Sequence, residues 1–344
     1  MARCLQLAEN GRGTTFPNPM VGSVIVKDQK IISEGWHHHP GGRHAEAEAI
    51  YNCDPSGLKG ATLYVNLEPC NHVGKTEACA PLIVASGIKK VIIGSGDTHD
   101  KVNGSGIAHL KNHGIEVITG ILEAESRELN KRFFRFHEQR RPYIILKWAQ
   151  TQNGFVAPLT KKELRPVWIS NEMARQHTHF LRSREHTILV GHRTWTQDNP
   201  RLSAYRWNEN NPIIVVLGGD KPIDHQKNKG ADLPKDIKDI KDIDEHKVNK
   251  EHQQKNILWL SSALYPNPEA VLRKLHENTI QSVLIEGGPE TLQRFIDSNL
   301  WDECYCYKSA NSWDNGLKGP KLNASLTPIA TFEDNVLFYG QNPL

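Results

Sequence analysis

A chain of 344 residues with 38% hydrophobic and 24% charged side chains has an ordinary globular composition and the length for two domains. Its formal net charge of +3 excludes a broad cationic track for nucleic acid, and no apolar run approaches the roughly 18 residues of a membrane span. Six scattered cysteines, and a start (MARCLQLAEN) without an apolar leader core, predict a reducing, cytoplasmic setting where thiols bind metal or pack rather than form a disulfide framework.

In chain order, VGSVIVKD and KIISEGW read as two strands joined by a polar turn at Asp28-Gln29. HAEAEAIYN reads as a helix, ATLYVNL as a strand, EACAPLIVASG as a helix closed by Gly87, and KKVIIG as another strand. ILEAESRELNKRFFRFHEQ reads as one charged helical stretch. Arg140-Arg141-Pro142 then punctuates the chain and YIILKWA opens a new strand, which predicts a domain boundary near residue 140. Beyond it, TILVG, PIIVVLGG and SVLIEGG read as strands and SNEMARQHTHFLRSR and ETLQRFIDSNL as helices, so both halves are of α/β type. Residues 220–256, charge-dense with a short Lys-Asp-Ile repeat, read as a solvated surface insertion and carry no function.

The segment EPCNHVGKTEAC (68–79) sets Cys70 and Cys79 nine positions apart. Alone, the two thiols allow a disulfide, two packed small hydrophobes, a structural metal clip, or two ligands of a working metal. HAE (44–46) supplies a third element. A zinc hydrolase needs three protein ligands, an open position for water and a base beside that water; His44, Cys70 and Cys79 fit the ligands and Glu46 the base. Residues two apart on a regular helix point about 200° apart, so both can face one pocket only if His44 stands at the helix start. Cys79 falls early in another predicted helix, where the dipole favours a thiolate. H-x-E with P-C-x-x-C marks the zinc nucleobase deaminases, in which the Glu moves protons and does not ligate the metal; here the cysteines are spaced Cys-x8-Cys. A closed site completed by His72 is the alternative, and it leaves Glu46 without a purpose. In the second half, SVLIEGGPETL reads as a strand, a Gly-Gly turn and a helix start. Its free N–H groups suit a phosphate, a plain tight turn fits equally, and the G-x-G-x-x-G spacing is absent.

Together, NPMVG (18–22), HAE and EPCNHVGKTEAC resemble the deaminase half of the bifunctional riboflavin-biosynthesis deaminase–reductases. ILKWAQTQNG (145–154), VWIS (167–170), TWTQDNPRL (194–202) and IEGGPETL (285–292) resemble the second half of that family, in the family's order. The resemblance implies a cytidine-deaminase-like three-layer α/β/α domain over residues 1–140 and a dihydrofolate-reductase-like α/β domain over 141–344. It implies Zn²⁺ on His44, Cys70 and Cys79, Glu46 as the catalytic proton shuttle, and a pyrimidine ribotide phosphate held by Asn18, His37, His72, Lys75 and Asp97. For the second half it implies NADPH at Ala149, Trp168, Ser170, Thr194, Asp198, Gly287 and Gly288. There the substrate meets Lys147, Arg182, Leu202, Arg206 and Glu286, the cations suiting a ribose phosphate. Without the family, Trp168 reads as a buried aromatic and Arg182 as a solvated helix face. A homo-oligomer is also implied.

Four positions depart from the family pattern. Lys75 stands for an Arg, His99 for an Asn, and Asn153 and Asn199 for carboxylates. The expected activity is hydrolytic deamination of 2,5-diamino-6-ribosylamino-4(3H)-pyrimidinone 5′-phosphate, then NADPH reduction of the ribosyl chain to ribityl. Its rivals are a live deaminase beside an impaired reductase, a polynucleotide-editing deaminase, and a structural zinc module on a nucleotide-binding domain. The near-neutral charge and the lack of a basic-aromatic run count against the polynucleotide reading.

Overall fold

The structure is a computed structural model that describes residues 1–74, 76–98, 102–160, 166–204, 207, 211–219 and 257–343. Lys75, His99, Arg206 and the charged stretch 220–256 lie outside the described residues. The chain divides into two compact units, Met1–Arg140 and Arg141–Leu344.

The first unit runs α1 (Ala2–Glu9), β1 (Gly22–Lys27), β2 (Lys30–Trp36), α2 (Ala45–Tyr51), α3 (Pro55–Leu58), β3 (Thr62–Leu67), α4 (Cys79–Ala85), β4 (Lys90–Ser95), α5 (Ser105–Asn112), β5 (Glu116–Ile118), α6 (Glu123–Leu129) and α7 (Lys131–Gln139). Its sheet has the order β2-β1-β3-β4-β5, antiparallel at β2/β1 and β1/β3 and parallel from β3 to β5. Period-two alternation gives each strand two apolar faces. Ile25, Leu63, Val65, Val91 and Ile93 pack under Ala49 and Ile50 of α2, Ala80 and Ile83 of α4, and Leu110 of α5. Val24 on the opposite face packs against Cys4 and Leu7 of α1. The result is a three-layer α/β/α domain.

The stretch expected as one helix over 121–139 is two, α6 and α7, broken at Asn130. Asn130 leaves helical geometry because its side chain is engaged elsewhere: Oδ1 accepts from the Met20 N–H at 2.8 Å and Nδ2 donates to the Met20 carbonyl at 2.9 Å.

The second unit runs β6 (Tyr143–Gln150), β7 (Phe155–Ala157), α8 (Glu172–Ser183), β8 (Thr187–Gly191), α9 (His192–Asp198), β9 (Ile213–Leu217), β10 (Ile257–Leu260), α10 (Pro268–Glu277), β11 (Ser282–Ile285), α11 (Pro289–Asp297), β12 (Glu303–Ser309), β13 (Leu317–Lys318), β14 (Thr327–Phe332) and β15 (Asn335–Gln341). Its main sheet, β10-β9-β8-β11-β6-β12-β15-β14, is parallel from β10 to β12 and closes with two antiparallel strands. Ile144, Leu146 and Trp148 of β6 face the core under α10 and α11. Tyr143 and Ile145 face the other side, against Ala174 and Leu181 of α8. Lys147 and Ala149 continue that second face at the carboxyl end of β6.

Candidate active sites

The first unit gathers its metal-ligating side chains from three strand–helix junctions. His44 is the N-cap of α2, extended at φ −73° and ψ 159°, and Glu46 is the second residue inside that helix. The non-helical His44 lets both side chains turn towards one place despite their spacing. Cys70 follows β3, and Cys79 is the first residue of α4. The ligand atoms of His44, Cys70 and Cys79 lie within 4.8 Å of one another, the only such His/Cys/Asp/Glu group among the described residues. Both sulfurs approach His44 Nδ1, Cys70 at 3.5 Å and Cys79 at 3.4 Å. Tetrahedral zinc with its usual Zn–S and Zn–N bonds sets such edges near ~3.6 Å, so the donor set fits the ion. All six cysteines are free thiols, which rules out the disulfide alternative. His72 is exposed and outside the ligand group, so the closed site is not formed.

The electrostatics suit a cation. The Cys70 thiol lies well below its usual range, chiefly because the Cys79 thiol bonds to it, with further help from His44 and from the Cys79 N–H at 3.4 Å. That N–H opens α4, so the helix dipole adds to the effect. Cys70 in turn raises His44. Glu46 is buried, and burial pushes its carboxyl up to about 7. The far nitrogen of His44, Nε2, lies 3.3 Å from the Thr76 hydroxyl, a partner that orients the ring and that no sequence pattern flagged.

Asn18 and His37 come together beside this centre. Asn18 Nδ2 donates to His37 Nε2 at 2.9 Å, and His37 Nδ1 donates to the Arg43 carbonyl at 2.9 Å. The pairing makes the ring neutral, and burial holds His37 down to about 4. Its ring stands edge-on to His44, with centroids 5.4 Å apart. Asp97 is buried after β4, and its N–H faces the buried Glu68 carboxylate at 3.4 Å.

The second unit builds its site at the carboxyl ends of adjacent parallel strands, where helix N-termini collect. Leu146 pairs with Ile285, so Lys147 stands beside Glu286. Glu286 takes a bidentate contact from Arg182 of α8, at 2.6 and 2.9 Å, and a third bond from Lys147 at 3.3 Å. Burial alone would raise the Glu286 carboxyl, but the two cations outweigh it and bring it down to about 2. Burial also lowers Lys147. Arg182 is therefore no solvated helix face, and both cations are engaged by one carboxylate, with a single net positive charge left over.

The turns after β8 and β11 press together. A Cβ on Gly287 would meet Thr291 Cβ at 2.9 Å and the Gly191 nitrogen at 3.1 Å. The Gly288 N–H donates to Thr194 Oγ1 at 2.9 Å, tying α9 to the start of α11. The two strand-to-helix turns thus approach too closely for a side chain at 287, and α11 begins there, a backbone arrangement that suits a phosphate. Ala149 and Ser170 are half-buried, and Asp198 ends α9. Trp168 is 64% exposed with the Arg175 guanidinium over its ring, contrary to a buried aromatic. Leu202 is buried, packed among core residues of the sheet.

The two amides in place of family carboxylates have structural uses. Asn153 Nδ2 donates to the Trp313 carbonyl at 2.7 Å while its Oδ1 accepts from Thr151 and from the Trp313 N–H. Asn199 caps α9 in the left-handed region at φ 42°, a conformation asparagine tolerates.

Residues 1–95 match the family model for the cytidine and deoxycytidylate deaminase zinc-binding region, and residues 142–309 match that for the RibD C-terminal domain. The riboflavin biosynthesis protein RibD of Aquifex aeolicus is 36% identical over 320 residues, 92% of this chain and 88% of its own. That of Bacillus amyloliquefaciens is 38% identical over 311 residues, 89% of this chain and 82% of its own. The crystal structure of a diaminohydroxyphosphoribosylaminopyrimidine deaminase/5-amino-6-(5-phosphoribosylamino)uracil reductase from Thermotoga maritima aligns with a TM-score of 0.81 at 32% identity, covering 99% of this chain and 97% of that one. Fold, metal set and matches define a class: a zinc-dependent deaminase carried on the same chain as an NADPH-dependent reductase. Within it, the chain belongs to the RibD family of riboflavin-biosynthesis proteins. It acts on a small molecule, and no helix among the described residues is long and apolar enough to cross a membrane.

Proposed function

We propose that the first unit, residues 1–140, removes the exocyclic amine of 2,5-diamino-6-ribosylamino-4(3H)-pyrimidinone 5′-phosphate as ammonia. The second, residues 141–344, then reduces the ribosyl chain to ribityl with NADPH. The observation that carries the reading is the convergence of His44, Cys70 and Cys79 with the buried Glu46 beside them. The name of the Thermotoga maritima relative, which states both reactions for that protein, supports the choice of substrate.

His44, Cys70 and Cys79 hold the zinc, which when bound supplies a water acidified towards neutral pH as the nucleophile. Glu46 takes a proton from the attacking water and passes it to the ring nitrogen beside the attacked carbon. It then takes the proton of the added hydroxyl and passes it to the amine, which departs as ammonia as the carbonyl forms. A buried carboxyl beside the metal ligands suits that double transfer. Asn18, His37, His72, Lys75 and Asp97 bind and orient the ribotide, His37 as a neutral ring locked by its two partners. In the second unit NADPH supplies the hydride. Gly287, Gly288 and Thr194 present the cradle for it, with Ala149, Trp168, Ser170 and Asp198 around. Lys147, Arg182, Glu286 and Arg206 receive the ribotide, and Leu202 backs them from the core. The protein works in the cytoplasm as a homo-oligomer and without nucleic acid.

Purified protein loaded with zinc should release ammonia from the ribotide and then consume NADPH at 340 nm. Glu46→Gln should abolish ammonia release, by at least ~10³-fold, and leave NADPH oxidation of the deaminated pyrimidine intact. A folded Glu46→Gln protein without either activity would contradict two separate sites.

A further inference from the structure

Glu68 stands two residues before Cys70 and is 4% exposed. A carboxylate so placed requires partners, and it finds them in backbone N–H groups of one distant segment. Oε2 accepts from Asp97 at 3.4 Å and Gly104 at 3.0 Å; Oε1 accepts from Gly106 at 3.0 Å and Ile107 at 3.2 Å. Gly104, the N-cap of α5, has no side chain to satisfy the first helical N–H groups, so Glu68 caps that helix from β3. The approach is close: a Cβ on Gly106 would sit 1.9 Å from the Pro69 carbonyl oxygen. The main chain of Glu68 also donates to the Ser95 carbonyl at 3.0 Å, extending the β3/β4 ladder up to this point.

We infer that Glu68 is a positioning residue of the deaminase, tying both ends of the segment between β4 and α5 to the strand that leads into the metal loop. It touches neither metal nor substrate. It fixes Asp97, which emerges from β4, at a set distance from Cys70, two residues beyond Glu68 in the loop that follows β3. The anion that a helix N-terminus attracts is thus supplied by the chain itself. This inference rests on the proposed ribotide deamination, in which Asp97 faces the substrate. Loss of the clamp loosens substrate binding while the metal and Glu46 keep their places.

The test is Glu68→Gln, which keeps shape but turns one acceptor into a donor facing N–H groups. In zinc-loaded full-length protein the KM for ribotide deamination should rise about tenfold while kcat stays within about threefold. Zinc should remain at one per chain, and NADPH oxidation of the deaminated pyrimidine should be unchanged. Glu68→Asp, a methylene shorter, should give a smaller rise of the same kind, and it carries the test if the glutamine variant does not fold. A KM equal to that of the parent overturns the assignment. So does a joint fall of zinc content and kcat, which would make Glu68 scaffold alone. Ammonia release by the parent is read in the same assay: a silent parent overturns the function and this role together, and an unaffected variant overturns only the role.

Discussion

At the residue scale, His72 separates an open metal site from a closed one. It is exposed and lies outside the ligand group, which sets it apart from the ion. His72→Ala should keep one zinc per chain by metal analysis and keep the fold by circular dichroism, while the KM for deamination rises about tenfold. His44→Ala should lose the metal, because no other described side chain completes the set. Asn153 poses a different question, whether a family acid is missing from the reductase. Its amide donates to one backbone group of Trp313 and accepts from another, so a carboxylate there would face the Trp313 carbonyl without a proton. Asn153→Asp should therefore lower the melting temperature by a few degrees, about 1 kcal/mol, and bring no gain in NADPH turnover. A gain would show that the amide impairs the reductase.

At the scale of elements, the proposed cofactor cradle depends on two turns approaching until no side chain fits. Gly287→Ala forces Thr291 or the Gly191 backbone to shift by a few tenths of an ångström. The KM for NADPH should rise at least ~10-fold, with ammonia release untouched. An unchanged KM would remove the cradle from the cofactor site. The metal centre was legible in the sequence because its chemistry is local: a His at a helix start, a Cys after a strand, a Cys opening a helix. The same reasoning missed what long-range contacts decide. Asn130 breaks a helix that its own segment favours, since its side chain serves Met20, 110 positions earlier. Glu68 and Thr76 show no periodicity of their own, and each acts on a partner from another segment. The closing hairpin of β14 and β15 escaped notice because β14 is largely exposed and carries no alternation to read.

At the scale of the whole molecule, the ion cluster of the second unit makes its stability depend on acid in a defined way. Lys147 and Arg182 hold Glu286 down to about 2, against an ordinary value of 4.5, and its side chain is 6% exposed. Above about pH 4.5 the carboxyl is ionised in both folded and unfolded chains, and the whole contribution is present. As pH falls from there towards about 2, the unfolded chain takes up the proton first and stability drops, by roughly 3 kcal/mol across the window. Seven of the eight tryptophans lie in this unit, Trp36 being the exception, so tryptophan emission of the full chain follows it selectively. In urea titrations of the parent, the emission midpoint should fall steeply between pH 4.5 and pH 3. Glu286→Gln should start lower, because two buried cations lose their partner, and should lose less over the same interval. Parallel slopes would mean that the carboxyl is not held down by the cations and that the electrostatic account of this cluster is wrong. A flatter slope would show that the groups expected to receive the ribotide also brace the domain. The proposed ribotide site would then have its geometry set by its own ion pairs before a substrate arrives.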